Sequence, residues 1–552
     1  MKKIMSIALV ALLLLPLTLF AGGSKDTAST KAASVSTEKA TAAEAAASVP
    51  NLAPSTEGVP ASVTLTDKTV NVGYSTAIDS LTPFKSNTGR NSPYMIQLYE
   101  TPAVINIDGE LEPYVAKSWE TEDDGFTYTV TIYDYVYDSA GNHITASDLV
   151  WFINESKVRA LKPIWAKVAE AKVIDDYTLE IDLTSNIMGT IEAILGIDLM
   201  IVSEKAFTES SDEFGISCVS TSPYLVTSFT PSASLYYERR DDYWQDIALL
   251  PESVRPIVKN INYMIITEAF QLGVALETGV VDTAIDIAPS TGAQFVGKND
   301  FAIFLQDGPQ GWELFFSGHP SSIVAENQAL RQAICYAIDA NGLITALASG
   351  YGTQMWDVNP PSRIGFNQKW KEDSYYEYDA AKAKELIKES GYNGETLTLL
   401  GTSSANTSRL CQLIQNYLLA VGIKVELNLV DMALYTATRL DGSKYDMTVN
   451  TIGGLTLADH WSIRYDPAAY STGDATSRKD YVLAELLYKT WVKSGWTEEN
   501  IDEVRDYIKD TCIAYGMYNP QVFTIWSNKL NVKKIVRGGI SGYPVFSACQ
   551  YD

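Results

Sequence analysis

Few side chains in this chain could perform covalent chemistry or hold a metal. His143, His319 and His460 are its 3 histidines, and their scatter argues against a multi-histidine metal centre. The 5 cysteines, Cys218, Cys335, Cys411, Cys512 and Cys549, show no CxxC spacing, and an odd number leaves at least one thiol free. Gly292-Ala293-Gln294-Phe295-Val296-Gly297-Lys298 spells GxxxxGK, but Asn299 stands where a phosphate loop needs Ser or Thr for Mg²⁺. Neither a GxSxG elbow nor an HExxH helix is present. The 67 Asp and Glu single out no acid pair for glycoside hydrolysis. No catalytic residue, metal ligand or cofactor is therefore assigned. The chain reads as a binder rather than an enzyme, with a secreted hydrolase as the weaker alternative. Its 32 Tyr and 11 Trp supply rings that could stack on a ligand, though such rings ordinarily fill cores.

Composition narrows the partners. The 552 residues are 46% hydrophobic and 20% charged, an ordinary globular balance, and the length suits two or three domains. With 42 Lys and Arg against 67 Asp and Glu, the net charge is −25. That excludes nucleic acid, which needs clustered cations, and an anionic membrane surface.

Lys2 and Lys3 precede an apolar stretch from Ile7 to Phe20, broken only by Pro16 and Thr18 and followed by Ala21, Gly22 and Gly23. This is the layout of a secretory signal over 1–22, with an uncleaved anchor as the alternative. Its removal takes away two lysines and leaves −27 in place of −25. The expected location is periplasmic or extracellular, associated with the cell surface. Residues 23–60 are rich in Ala, Ser and Thr and poor in large apolar side chains, so they read as a disordered spacer. Gly22-Gly23 stands where lipidation would need a Cys, so no lipid anchor is expected.

The elements that must position a site begin near Val63. Val70 to Gly73 alternates and reads as a strand that breaks at Gly73. Asp108-Gly109 and Asp124-Gly125 each predict a hairpin, the second placing Phe126, Tyr128 and Val130 on one face. Thr145 and Asp148 form a capping box ahead of a helix. Strands are expected at 177–183 and 257–266, and helices at 328–338, 380–389 (capped by Asp379) and 408–420. Strands at 397–399 and 423–427 flank the last helix as a βαβ unit, so the class is α/β or α+β with at least two lobes.

Several phrases occur together, in one order, across residues 65–540. They include Glu112-Pro113-Tyr114-Val115-Ala116-Lys117-Ser118-Trp119, Thr145-Ala146-Ser147-Asp148-Leu149-Val150, Ser222-Pro223-Tyr224 and Leu276-Glu277-Thr278-Gly279. Leu330-Arg331-Gln332-Ala333, Tyr378-Asp379-Ala380-Ala381-Lys382-Ala383 and Tyr445-Asp446-Met447 complete the set. This set resembles the family 5 extracellular solute-binding proteins of ABC importers, of the oligopeptide- and dipeptide-binding type. The resemblance implies a type II periplasmic-binding fold, α/β, with two hinged lobes and an inserted third domain. It implies domain I from 61–97, 218–310 and 520–552, domain II from 98–217 and domain III from 311–519. It also implies ligand capture between domains I and III, and delivery to membrane permease subunits by a monomer.

Within that fold the expected ligand-binding residues lie on loops after strands, where open α/β sheets place ligands. They are Tyr74 and Ser75, Tyr94 and Tyr99, Trp312 at the crossing into domain III, and Asn450, Gly453, Gly454, Asp459 and Trp461 on the loop after Tyr445-Asp446-Met447. In peptide-binding relatives an aspartate of that loop pairs with the peptide's α-amino group, and Asp459 matches it; a solvated surface carboxylate is the alternative. The loop reads Ile452-Gly453-Gly454-Leu455 rather than the relatives' Gly-Trp pattern. A peptide is thus one expected ligand and an oligosaccharide stacked on aromatic rings the other.

Overall fold

A computed structural model describes residues 63–85, 92–160, 162–308, 310–451, 455–467, 479–539 and 542–552. The expected signal and spacer lie outside the described residues. Thr69–Tyr74 runs at the centre of a first group of strands, parallel to Asn260–Ile265 on one side and to Thr283–Ile287 on the other. Ser234–Arg239 and Tyr224–Thr230 extend it antiparallel at one edge. Gly73 does not break the first strand but pairs within it, opposite Met264 and Ala284. Its role is packing: a Cβ there would sit 2.5 Å from Leu272 Cδ1 on the covering helix Ala269–Thr278. The glycine thus marks a close helix–strand approach instead of a strand end.

A second group is built around the βαβ unit. Thr396–Thr402 pairs in parallel with Lys424–Val430 and Met447–Thr451, and Met447–Thr451 pairs antiparallel with Trp312–Phe316. The helix between the first two strands runs Ala405–Val421, not 408–420. Ser404 caps it by accepting from Thr407 N, and Gly422, at φ +99, ends it in the left-handed conformation that favours glycine. Asp379 caps Ala380–Glu389 as expected, accepting from Ala381 N and Lys382 N at 2.9 Å each.

One long strand, Ala514–Ser527, joins the two groups. Its first half pairs with Trp312–Phe316 and Gly352–Gln354, and its second half with Thr283–Ile287 and Phe301–Asp307. The change of partner falls around Asn519-Pro520, where Pro520 O accepts from Gly308 N at 2.9 Å.

Residues 116–183 form a separate antiparallel sheet in the order Ala116–Glu122, Thr127–Ile132, Thr178–Leu183, Val168–Asp175. Tyr128, Val130, Ile132, Leu179, Ile181 and Leu183 alternate inward on one face. The helix Ala146–Arg159 lies against two strands of this sheet and buries Leu149, Phe152 and Ile153. Its capping box forms as expected, with Thr145 N donating to Asp148 Oδ2 at 2.8 Å.

Separate cores hold these parts. Leu314, Leu397, Leu399, Ile414 and Met447 fill one under the βαβ unit; Leu272, Ile287, Phe295, Phe523 and Ile525 fill another in the first group. A third, with Phe315, Trp461, Leu483, Leu487, Val504 and Ile508, lies among the C-terminal helices.

Candidate functional site

Two clusters of polar side chains sit at the ends of sheet strands, one in each large group. The first gathers where Thr69–Tyr74 and Thr283–Ile287 terminate. Tyr74 and Tyr94 meet edge to face at 5.9 Å between centroids, and Tyr94 meets Tyr263 in the same way at 6.2 Å. Burial pushes the Tyr74 phenol up to about 12 against a bond to Thr76. Asp286, one residue from the end of its strand, has φ +57. The ladder register shifts there, between Ala284 and Ile287. A non-glycine residue in that region signals strain, which persists only where surrounding structure imposes it. The Asp286 carboxyl is pushed up to about 6, chiefly by burial, against a hydrogen bond from Tyr543. A pocket opens beside this cluster, lined by Val72, Pro93, Ile96, Tyr263, Ile285 and Tyr543 among others. A strained, partly desolvated carboxylate beside a pocket is a candidate binding group.

Sequence reasoning missed Asp286 and Tyr543. The local signal was an acid set between apolar neighbours, Ala284-Ile285-Asp286-Ile287-Ala288, directly before Pro289. Without the C-terminal segment folded back over it, that acid reads as an ordinary surface residue.

The second cluster surrounds Asp459. The expected loop from Asn450 to Trp461 is instead a strand that ends at Thr451 and a helix, Leu457–Tyr465. Thr456 caps the helix, its Oγ1 accepting from Asp459 N at 3.1 Å. The same hydroxyl donates to Met188 O at 2.7 Å, which ties the helix start to the segment that follows the small sheet. Asp459 thus occupies the first turn of a helix, where the positive end of the helix dipole favours a carboxylate. Lys167 reaches Asp459 Oδ1 at 3.1 Å, and Lys162 reaches Asp198 Oδ1 at 2.6 Å. Burial pushes the Asp198 carboxyl up, with Lys162 opposing that shift and Asp459 adding to it. Arg363 lies close enough to feel the charge of Asp459; burial depresses its guanidinium to about 10. Behind the cluster, His460 and Glu313 are buried, 3.7 Å apart, and Tyr465 donates its hydroxyl to Glu313. Burial pushes the His460 imidazole down, so it is neutral at physiological pH.

The remaining expected site residues divide. Ser75, Trp312 and Asn450 are half-buried. Trp312 and Asn450 lie on paired strands, Trp312 opposite Thr451 and Asn450 opposite Glu313. Tyr99 is wholly buried, its hydroxyl donating to Leu81 O at 2.9 Å. Trp461 is likewise wholly buried, packed into the helical core with Phe315 and Leu483. The fold leaves neither ring a face for a ligand, because each points inward from its element. Gly453 and Gly454 lie outside the described residues.

Residues 110–471 match the family described as bacterial extracellular solute-binding proteins, family 5 Middle. The glutathione-binding protein GsiB of Pectobacterium atrosepticum is 26% identical over 430 residues, spanning 75% of this chain and 76% of that protein. Among solved structures, NikA from Brucella suis in complex with Fe(III)-EDTA superposes with a TM-score of 0.75 at 18% identity, covering 88% of this chain and all of that one (100%). DppA from Helicobacter pylori in complex with the peptide STSA gives a TM-score of 0.67 at 20% identity, covering 86% of this chain and 96% of that one.

Proposed function

We propose, on the premise that the chain belongs to the bacterial extracellular solute-binding proteins, family 5, that it captures short peptides between its two large strand groups for an ABC importer. The fold is the type II periplasmic-binding architecture. Family 5 proteins are periplasmic or extracellular and work with membrane permeases. Among the described residues no helix is long and apolar enough to cross a membrane.

In this reading 61–97, 218–310 and 520–552 form one lobe, 311–519 the other, and 98–217 the inserted domain. The strand Ala514–Ser527, which changes partners midway, supplies the flexing connection as the monomer closes. No covalent step is proposed.

The observation that carries the peptide reading is the charge set at the helix start. Asp459 lies beside Lys167 and within the field of the buried Arg363. A carboxylate beside two cations matches a zwitterion: a ligand ammonium replaces Lys167 on Asp459, and the released lysine and Arg363 face a carboxylate. Glutathione, named for the GsiB relatives, is a tripeptide with one ammonium and two carboxylates; the DppA structure holds a peptide. A sugar reading would need open aromatic faces, and Tyr94 and Tyr99 are buried.

Calorimetry of the purified protein against free-amine peptides, their N-acetylated forms and oligosaccharides tests this. Free-amine peptides bind, acetylation abolishes binding, and Asp459→Ala weakens affinity at least about 30-fold, as expected for losing one partner of a buried charge pair. Unchanged affinity in Asp459→Ala removes that residue from the site, and binding of an oligosaccharide alone replaces the peptide reading.

A further inference from the structure

The cysteines, which the binding function leaves unused, are not evenly placed. Cys335 and Cys512 stand 177 residues apart in the chain, yet their sulfurs approach to 3.3 Å. Cys335 sits near the end of the helix Gln328–Ala337, and Cys512 follows the helix Glu498–Thr511. Neither side chain touches solvent.

Two further observations concern Cys512. Its φ is +52, in the left-handed conformation just past the helix. That position is ordinarily given to glycine, which adopts it without strain. A cysteine held there at a conformational cost, with its sulfur aimed at a second sulfur, calls for a reason beyond packing. Arg331 then fixes the two helices against each other, donating through Nε to Cys512 O at 2.9 Å and through Nη2 to Thr511 O at 2.8 Å. Its Nη1 holds Val324 O and Ala325 O at 2.7 Å each. The pair is not part of a metal site, since no group of three His, Cys, Asp or Glu among the described residues could hold one.

We infer that Cys335 and Cys512 are joined by a disulfide in the exported protein, stapling the helix Gln328–Ala337 to the start of the strand that links the two large strand groups. Family members work outside the cytoplasmic membrane, where disulfides form and persist. A separation of 3.3 Å leaves only a small movement to the ~2.05 Å of the bond. The oxidant is a small or protein disulfide that meets the chain before both thiols are covered. One thiolate attacks that disulfide and expels one of its sulfurs as a thiolate, leaving a mixed disulfide. The second cysteine, losing its proton, attacks the protein sulfur of that mixed bond and expels the other. Two electrons pass to the oxidant, which leaves as two thiols that take up the two protons lost by Cys335 and Cys512. Once formed, the bond lies where no reductant reaches it.

Alkylation tests this on the full chain exported by its host and isolated without reductant. Unfolded in guanidinium with iodoacetamide, it should leave two of its 5 cysteines unlabelled before reduction and none after. The linked peptides should carry Cys335 and Cys512. Labelling of all the cysteines before reduction overturns the inference, as does a linked pair of other cysteines. In Cys335→Ser every remaining cysteine should label without reduction, and the melting temperature should fall by about 3–5 °C. Two protected cysteines in that variant would also overturn it.

Discussion

Asp459 and Asp286 are both partly buried carboxylates, one in each large strand group, and they differ in whether a cation already sits on them. Asp459 lies in the first turn of a capped helix with a lysine on its oxygen. Asp286 lies in a strained strand residue, facing a phenol, and burial raises its carboxyl to about 6. The first environment holds a charge that is already matched; the second holds one that is not. In a binding protein these are two ways of preparing for a cation. A matched carboxylate must exchange one partner for another, so its gain on binding is a difference between two pairs. An unmatched one releases its own desolvation penalty when a cation arrives.

The largest expected effect comes from removing what anchors the first environment. Trp461 lies on the same helix as Asp459 and is wholly buried. Trp461→Ala should cost about 3–5 kcal/mol of stability, as other large-to-small core changes do, measured by chemical denaturation. A loss below about 1 kcal/mol, with ligand affinity falling instead, would return Trp461 to the site and unmake the division drawn between core and cleft.

Next in size are opposite signs for the two aspartates. Asp459→Asn strands Lys167, whose side chain is 17% exposed, and should destabilise by about 1–3 kcal/mol, less than for a fully buried pair because water reaches both groups. Asp286→Asn removes a disfavoured charge and should stabilise by about 1–2 kcal/mol at pH 7. Denaturation midpoints moving the same way in both variants would break the comparison.

How much of this contrast could be read from residues alone follows from how local each feature is. The Asp108-Gly109 and Asp124-Gly125 hairpins, the Thr145–Asp148 capping box and the Asp379 cap all form within a few residues, and the pattern carried them. Gly73 reads as a strand end because its reason for being glycine, close approach to Leu272, lies on another element. The helix expected at 408–420 starts three residues earlier, at Ala405, because Ser404, Ala405 and Asn406 resemble turn residues while Ser404 is in fact the cap. The Asp459–Lys167 pair spans 292 residues, and no spacing rule reaches that far. Asp286 escaped for the same reason, since its strain and burial depend on strands and a C-terminal segment remote in sequence. The family phrases pointed to the family and its fold, but they could not say which carboxylate already had a partner.

Acidity gives a smaller and more specific test. The folded value for Asp286, about 6, lies above the ordinary 3.8. Between those pH values the folded state holds a proton that the unfolded chain has lost. Stability therefore falls as pH rises from about 4 to about 6, and the ionised carboxylate costs most at neutral pH. Asp286→Asn should flatten that part of the wild-type profile. A slope unchanged in the variant would mean that another group titrates there.

The smallest effect isolates a single hydrogen bond. Tyr543 bonds to Asp286 and lowers its carboxyl against the effect of burial. Tyr543→Phe keeps the ring and removes the hydroxyl, so the carboxylate loses its donor while its burial stays. The Asp286 titration, followed by carboxyl NMR, should then move further up by a fraction of a pH unit, and stability at pH 7 should drop by about 0.5–1.5 kcal/mol, the ordinary net worth of one hydrogen bond. At pH 4, where the carboxyl is protonated in both proteins, the difference should shrink. In the Asp286→Asn background it should also change size, because the partner is no longer a charge. A titration that stays in place in Tyr543→Phe would show that the phenol only packs beside Asp286, and the second environment would then rest on burial and backbone strain alone.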